Sequence, residues 1–155
     1  MSFILTQAGR SFFRAIIAPP KFLMFDAFYC CLLVGLDARR IESADALDAD
    51  PFIPAYPDDF KAQGDIVAGL LIDAELERKG IEAEDKARIE QEMIRLVDPT
   101  SPTRLSAEGN KMLNLYAAAG FAIVDDKMMS PATIEEFLVA YHAYWHVEAT
   151  ATAEG

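Results

Sequence analysis

The feature that most constrains how this chain folds is a nearly uninterrupted apolar run at 22–36. The run is fifteen residues long and holds a single charged side chain, Asp26. A helix that spans a bilayer needs about 20 apolar residues, so we expect no membrane span. A helix that is apolar on nearly every side lies instead in a protein core or in an interface. The sequence therefore predicts a central helix over 21–38.

Stop signals and hydrophobic periodicity divide the rest of the chain into further helices. Pro19 and Pro20 disfavour helix at and before them and end a first helix. Gly80 is typical of the position just beyond a helix end, and Ser130 followed by Pro131 is typical of a helix start. The six predicted helices cover 2–17, 21–38, 58–79, 83–97, 106–119 and 131–147.

The predicted third and fourth helices each carry apolar residues at helical spacing. Because such a stripe normally packs against the rest of a globular protein, we expect both stripes to face the core. Their members are Ile66, Val67, Leu70, Leu71 and Ala74 on the third helix, and Ile89, Met93, Ile94 and Val97 on the fourth.

The remaining segments lack a helical pattern. Residues 41–59 carry six acids, three prolines and no basic residue, which indicates a long loop. A short strand or β-hairpin is predicted near 121–129. Together with the helices on either side, this segment could form a winged-helix-like module. The acidic charge of such a module favours a protein partner over DNA. The tail at 148–155 has no large apolar anchor, so we expect disorder. The predicted fold is all-α, a single-domain bundle of five to six helices over 1–147.

Charge divides the chain into two unequal parts. Residues 1–40 carry five basic and two acidic side chains, whereas residues 41–155 carry nine basic and 23 acidic ones. The basic part is also the most apolar, so it must be buried against the acidic remainder or against another chain. The net charge of −11 argues against a nucleic-acid partner, because phosphate binding needs clustered Lys and Arg.

We therefore predict a non-catalytic protein-interaction subunit or adaptor of a larger assembly. It would bind a protein partner, or a second copy of itself, through its apolar N-terminal helices. The predicted partner-binding residues are Phe3, Phe12, Phe13, Phe22, Phe25, Asp26, Phe52 and Tyr56. A buried acid needs a cation or several donors, so Asp26 is expected either to pair with Arg10 or Arg14 or to mark the edge of its helix.

Two other functions remain open from the residues alone. An acidic regulator could engage a basic surface through 41–59 and the predicted third and fourth helices. A small enzyme could use Asp26, Asp65 or the histidine pair. However, the chain has no G-x-S-x-G, Walker A, G-x-G-x-x-G or C-x-x-C motif. The missing motifs favour a non-catalytic function, and we expect no cofactor.

His142 and His146 are the only histidines, and their i, i+4 spacing places them on one helix face. That spacing can hold zinc, with Glu135 or Glu148 as a further ligand. The H-E-x-x-H pattern is absent, however, and aromatic residues separate the histidines. The DALDAD stretch at 45–50 lacks the glycine and the terminal glutamate of an EF-hand loop. We therefore predict no bound metal.

Cys30 and Cys31 are the only cysteines. Adjacent positions on a helix point about 100° apart, which is a poor geometry for a disulfide. The pair is typical of small apolar residues in a reducing compartment. Since the start of the chain also lacks the pattern of a secretory signal, the sequence predicts a cytoplasmic protein.

Overall fold

The computed structural model describes residues 3–154, with side chains over 3–150, as one compact arrangement of six α-helices without a β-strand. Two short 3₁₀ turns cover Ala44–Ala46 and Asp58–Gln63. The predicted all-α bundle is confirmed. The predicted first helix, over 2–17, is longer than the observed one, because 3–6 and 14–17 are not helical; residue 2 lies outside the described residues. The helices are α1 (Gln7–Phe13), α2 (Met24–Ala38), α3 (Gly64–Arg78), α4 (Lys86–Leu96), α5 (Ala107–Lys127) and α6 (Ile134–Glu154).

Side-chain caps set where α1 and α5 begin. At the start of α1, Thr6 Oγ1 accepts the amide of Gly9 at 3.1 Å. At the start of α5, Ser106 Oγ accepts the amide of Gly109 at 3.0 Å. These hydrogen bonds satisfy amides that have no partner within the helix. The predicted start of the fifth helix at Ser106 therefore agrees with the structure.

The sixth helix begins later than the sequence predicted. Thr133 Oγ1 accepts the amide of Glu136 at 3.1 Å, and the Glu136 carboxylate accepts the amide of Thr133 at 3.2 Å. This reciprocal pair is a capping box, and it places the first helical residue at Ile134. Ser130, the predicted cap, instead donates its hydroxyl to the carbonyl of Phe12 at 2.6 Å. The α5–α6 connection is thereby tied to α1.

The centre of the fold is a close crossing of α2 and α5. A Cβ on Gly35 would overlap the carbonyl oxygen of Tyr116, and a Cβ on Gly120 would overlap that of Cys31. The two glycines therefore let the helix backbones touch. Because a later residue of α2 meets an earlier residue of α5, the helices are antiparallel. Of the 21 residues of α5, 13 are buried, so α5 is as central as the helix that the sequence singled out.

The strand or hairpin predicted near 121–129 is wrong, because α5 continues through this segment. Phe121 and Val124 are buried in the same apolar cluster, and the Phe121 ring lies 5.6 Å from that of Phe12. Burial of this face against α1 and α2 stabilises the helix beyond Gly120, where the sequence predicted its end. Because this segment is helical, the predicted winged-helix-like module is not formed either.

The N-terminal segment and the acidic loop at 41–59 hold each other. The amide of Phe3 donates to the carbonyl of Ile53, and the amide of Phe52 donates to the carbonyl of Phe3, both at 3.0 Å. The buried ring of Tyr56 lies 5.1 Å from the ring of Phe3. The second half of the predicted loop at 41–59 therefore packs against the core.

At the other end of the chain, α6 continues to Glu154, whereas the sequence predicted disorder from 148. The segment is rich in alanine, which has the highest helix propensity of the amino acids and lets the last turns propagate. The final residue of the predicted tail, at 155, lies outside the described residues. Over 3–154, no helix combines the length and the hydropathy needed to cross a membrane.

Candidate functional site

The residues predicted to bind a partner do not form a surface. Exposed fractions are 6% or less for Phe3, Phe12, Phe13, Phe22, Phe25 and Tyr56. Their rings pack on neighbouring rings: that of Phe3 lies 5.6 Å from Phe25, and that of Phe13 lies 5.1 Å from Phe137 of α6. The N-terminal apolar side chains therefore fill the core of their own chain instead of presenting the predicted partner-binding surface.

The structure divides these residues between two apolar clusters. Phe3, Phe25 and Tyr56 belong to the cluster that α3 and the acidic loop cover. The other cluster contains α1 residues and the start of α6, and it includes Phe12, Phe13 and Phe22. The half-buried ring of Phe52 contacts both clusters. The predicted site residues are thus separate parts of the interior.

Asp26 caps its own helix. Its Oδ2 accepts the amide of Leu23 at 2.6 Å, and the side chain is half-buried at the start of α2. A carboxylate in the first turn also lies at the positive end of the helix dipole. Arg10 donates instead to the carbonyl of Asp50, and no described ion pair joins Asp26 to Arg10 or Arg14. The predicted arginine pair is not formed, and the donor to the Asp26 carboxylate is instead the amide of Leu23.

The other candidate chemical groups do not converge on one another. His142 and His146 lie on the exposed side of α6, and Asp65 is exposed on α3. Burial, with a further contribution from Asp26, raises the pKa of the Cys30 thiol to about 12, so the reactive thiolate is disfavoured at neutral pH. Among the described side chains, no group of three or more His, Cys, Asp or Glu residues could hold a metal ion.

Glu75 on α3 is a fully buried charged residue. Its carboxylate accepts hydrogen bonds at 2.7 Å from Arg78, from Arg95 and from the hydroxyl of Tyr116. Burial raises the pKa of Glu75, but the hydrogen bonds and positive charges outweigh burial, and the pKa lies below its usual value of 4.5. The ionised group therefore joins α3, α4 and α5 from inside the protein.

Glu92 on α4 extends this ionic network. It accepts Lys79 Nζ at 2.8 Å and Arg95 Nη2 at 2.8 Å, and Arg95 also reaches Glu108 at 3.1 Å. Each of these carboxylates already holds a cationic partner. Such saturation favours a structural role over catalysis, which needs a group that can meet a substrate.

An apolar groove lies between the C-terminal half of α2 and the helices α3 and α6. Leu70 is 39% exposed and Trp145 is half-buried, so apolar surface meets solvent on both walls. The α2 helix supplies the floor. The groove has a volume of about 340 Å³ and is lined by Leu33, Leu36, Asp37, Arg39, Leu70, Asp73 and Trp145.

The two helices that form the floor and one wall of this groove, α2 and α3, are parallel. Near their starts, the rings of Tyr29 on α2 and Phe60 just before α3 lie 5.0 Å apart. At their ends, Arg39 Nε donates to Glu77 at 2.9 Å. The groove therefore lies towards the C-terminal ends of both helices, where the helix dipoles place partial negative charge.

The α6 wall follows the same direction along α2. The ring of Phe137 lies 6.0 Å from that of Phe22, just before α2. One turn later along α6, the Tyr141 hydroxyl donates to the carbonyl of Cys30 at 2.7 Å. Trp145 lies a further turn on and lines the groove. Aromatic side chains at i, i+4 and i+8 thus hold α6 beside α2.

The rim of the groove is acidic. Arg39 is its only basic lining residue, and it ends α2 in the left-handed conformation with φ 53°. Its guanidinium is occupied by Asp73 and Glu77, both at 2.9 Å. Asp37 in the last turn of α2 has no ion-pair partner among the described residues. The rim therefore keeps an excess of negative charge.

The sequence did not single out this groove, because its residues come from three distant segments. One signal was present. The predicted stripe on the third helix is wider than one buried face requires: Val67 and Leu71 are fully buried, whereas Ile66 and Leu70 are 55% and 39% exposed. An unusually wide apolar stripe indicates a second surface on the same helix.

The fold and the groove together define an all-helical protein with a solvent-exposed apolar groove. No protein-family model matches the chain, and comparisons with curated proteins and with solved structures give no match.

Proposed function

We propose that this chain is a non-catalytic protein-interaction subunit and that a helix of its partner docks in the groove between α2, α3 and α6. The observation that carries the proposal is the groove itself, where Leu33, Leu70 and Trp145 line a concave surface open to solvent. Covering apolar surface in this way is favourable in water. The groove includes the C-terminal half of α2 but none of the partner-binding residues predicted from the sequence.

The shape of the groove favours a helix as its occupant. Floor and walls are helices that run in one direction, so a further helix can lie along them. Helices that bind in grooves insert apolar side chains at positions such as i, i+3, i+4 and i+7. A volume of about 340 Å³ takes a few such side chains. Trp145 belongs to the residue types that most often anchor protein interfaces.

Trp145 gives a direct readout of docking, because it is the only tryptophan in the chain. The probes are three designed helical peptides without tryptophan, each of about five turns. They share one leucine ridge and carry Lys, Gln or Glu on the other faces. We expect at least one peptide to shift the fluorescence of Trp145 saturably, and we expect Leu70→Glu to abolish that shift.

Ile94→Glu is the matched control. Ile94 is 71% exposed on α4 and does not line the groove, yet the substitution adds the same charge. It should leave the titration unchanged. If no peptide shifts the fluorescence, or if Leu70→Glu and Ile94→Glu weaken binding equally, the proposal is wrong.

A further inference from the structure

Building on the proposed function, we infer that the helix received by the groove is cationic. Its apolar ridge enters the groove, and its flanking Lys or Arg side chains meet the carboxylates of Asp37 and Asp73. The apolar lining alone accepts a ridge of any flanking charge. The acidic residues at the rim of the groove favour a helix with positive charge beside that ridge.

The first support is the charge around the groove. Asp37, Asp73 and a single base, Arg39, line the groove, and Glu77 binds Arg39, so these four groups together carry −2. Because Arg39 is shared between two carboxylates, it neutralises neither fully. The side chains of Asp73 and Glu77 are 66% and 64% exposed, which leaves oxygen atoms accessible to an incoming cation.

The second support is the position of Asp37. It lies in the last turn of α2, at the negative end of the helix dipole, where a carboxylate is unfavourable. Its carboxylate forms no described ion pair, and the guanidinium of Arg39, which donates to the Asp37 carbonyl at 2.7 Å, is already bound to Asp73 and Glu77. An ammonium or guanidinium group from a partner would supply a cation to offset this repulsion. Asp37 therefore offers a docked helix a carboxylate that has no ion-pair partner among the described residues.

The third support is the distribution of basic residues near this end of the protein. Arg40 and Lys127 line a separate hollow beside Tyr144, which is bordered also by Asp126 and Glu148. They do not line the groove. The groove lining therefore holds no basic residue besides Arg39, and the net charge of −11 attracts a cationic helix from a distance.

The experiment compares the Lys, Gln and Glu peptides by Trp145 fluorescence at low and at high salt. We expect the Lys peptide to bind about tenfold tighter than the Gln peptide, and the Glu peptide to bind least. The double substitution Asp37→Asn with Asp73→Asn should remove most of the preference for Lys over Gln. High salt should also reduce it, since the contacts are exposed to solvent.

The matched control is Asp45→Asn with Asp59→Asn. This control also removes two negative charges, but from exposed positions that do not line the groove. It should therefore change the ratio of the Lys-peptide affinity to the Gln-peptide affinity by less than about twofold, the effect of a weak exposed charge. An equal loss in both double variants would show that only the bulk charge acts, and would overturn the inference.

The remaining outcomes separate the inference from the proposed function. If the Gln or Glu peptide binds as tightly as the Lys peptide and Leu70→Glu abolishes binding, the inference is wrong and the proposed function stands. If none of the three peptides binds, both are wrong. Unchanged thermal unfolding of each variant confirms that the comparison involves folded protein.

Discussion

Gly120 on α5 packs directly against the carbonyl oxygen of Cys31 on α2, with no room for a side chain between them. A Cβ on Gly120 would also lie 2.7 Å from the amide nitrogen of Gly35. The obstructing atoms belong to backbone, which cannot rotate aside as a side chain can. The distance between the two central helices therefore depends on this glycine.

We expect Gly120→Ala to lower the free energy of unfolding by about 3 kcal/mol, at the upper end of overpacking effects, because two helices must move apart. Urea unfolding measures the change. Gly69→Ala is the control, since a Cβ there meets no atom within 4 Å. Because Gly69 lies at an exposed helical position, this substitution should raise the free energy of unfolding by about 0.5 kcal/mol. Equal stability of Gly120→Ala and the native protein would contradict the close crossing.

The buried ionic network predicts a second pair of effects. Glu75→Gln leaves Arg78 and Arg95 without their shared carboxylate, and we expect it to lower the free energy of unfolding by about 3 kcal/mol. Glu108→Gln removes the outer contact of Arg95, where the Glu108 side chain is 47% exposed. Its cost should stay below about 1 kcal/mol. Comparable losses of unfolding free energy in both variants would show that the burial of Glu75 does not strengthen its ion pairs.

The same network predicts a dependence of stability on pH. Despite burial, hydrogen bonds and cations lower the pKa of Glu75 and of Glu92 in the folded state. A group with a lowered folded pKa contributes its full stability above its usual value, here 4.5, and loses it as pH falls through the folded pKa. Urea unfolding between pH 7 and pH 3 should show this fall, and Glu75→Gln should make it smaller. The same pH dependence in the variant would exclude Glu75 as a source.

Asp26 and Asp37 give a matched pair at opposite ends of α2. We expect Asp26→Ala to lower the free energy of unfolding by about 1 kcal/mol, because the amide of Leu23 loses its acceptor. Asp37→Ala should be neutral or slightly stabilising, since it removes a carboxylate from the negative end of the dipole. Thermal and urea unfolding report both. A loss above about 3 kcal/mol for Asp26→Ala would indicate a buried pair instead of a cap.

Local signals were enough to predict the number of helices and several of their ends. Gly80 follows α3 with φ 68°, the left-handed conformation expected beyond a helix end. Ser106 caps α5 as predicted. These features depend on residues within one or two turns, so they can be recognised without knowledge of the partner helices.

Gly120 shows where local reasoning failed. The sequence predicted that it ends a helix, as Gly80 does, but it lies in the middle of α5 and serves the contact with α2. The same residue type has two uses, and only the neighbouring helix distinguishes them. Likewise, Met93 and Ile94 were expected in the core and are 48% and 71% exposed, because the adjacent helices do not cover that side of α4.

The sequence by itself determined the all-α class, the number of helices, several helix ends and the acidic balance of the chain, since these follow from composition and from short-range backbone chemistry. Only the tertiary structure decided which apolar faces are covered. The N-terminal phenylalanines became core, whereas Leu70 and Trp145 came to line a groove. The physical reason is that periodicity marks a face as apolar but does not say what packs on it. Here that depended on α2, α3 and α6 running side by side in one direction.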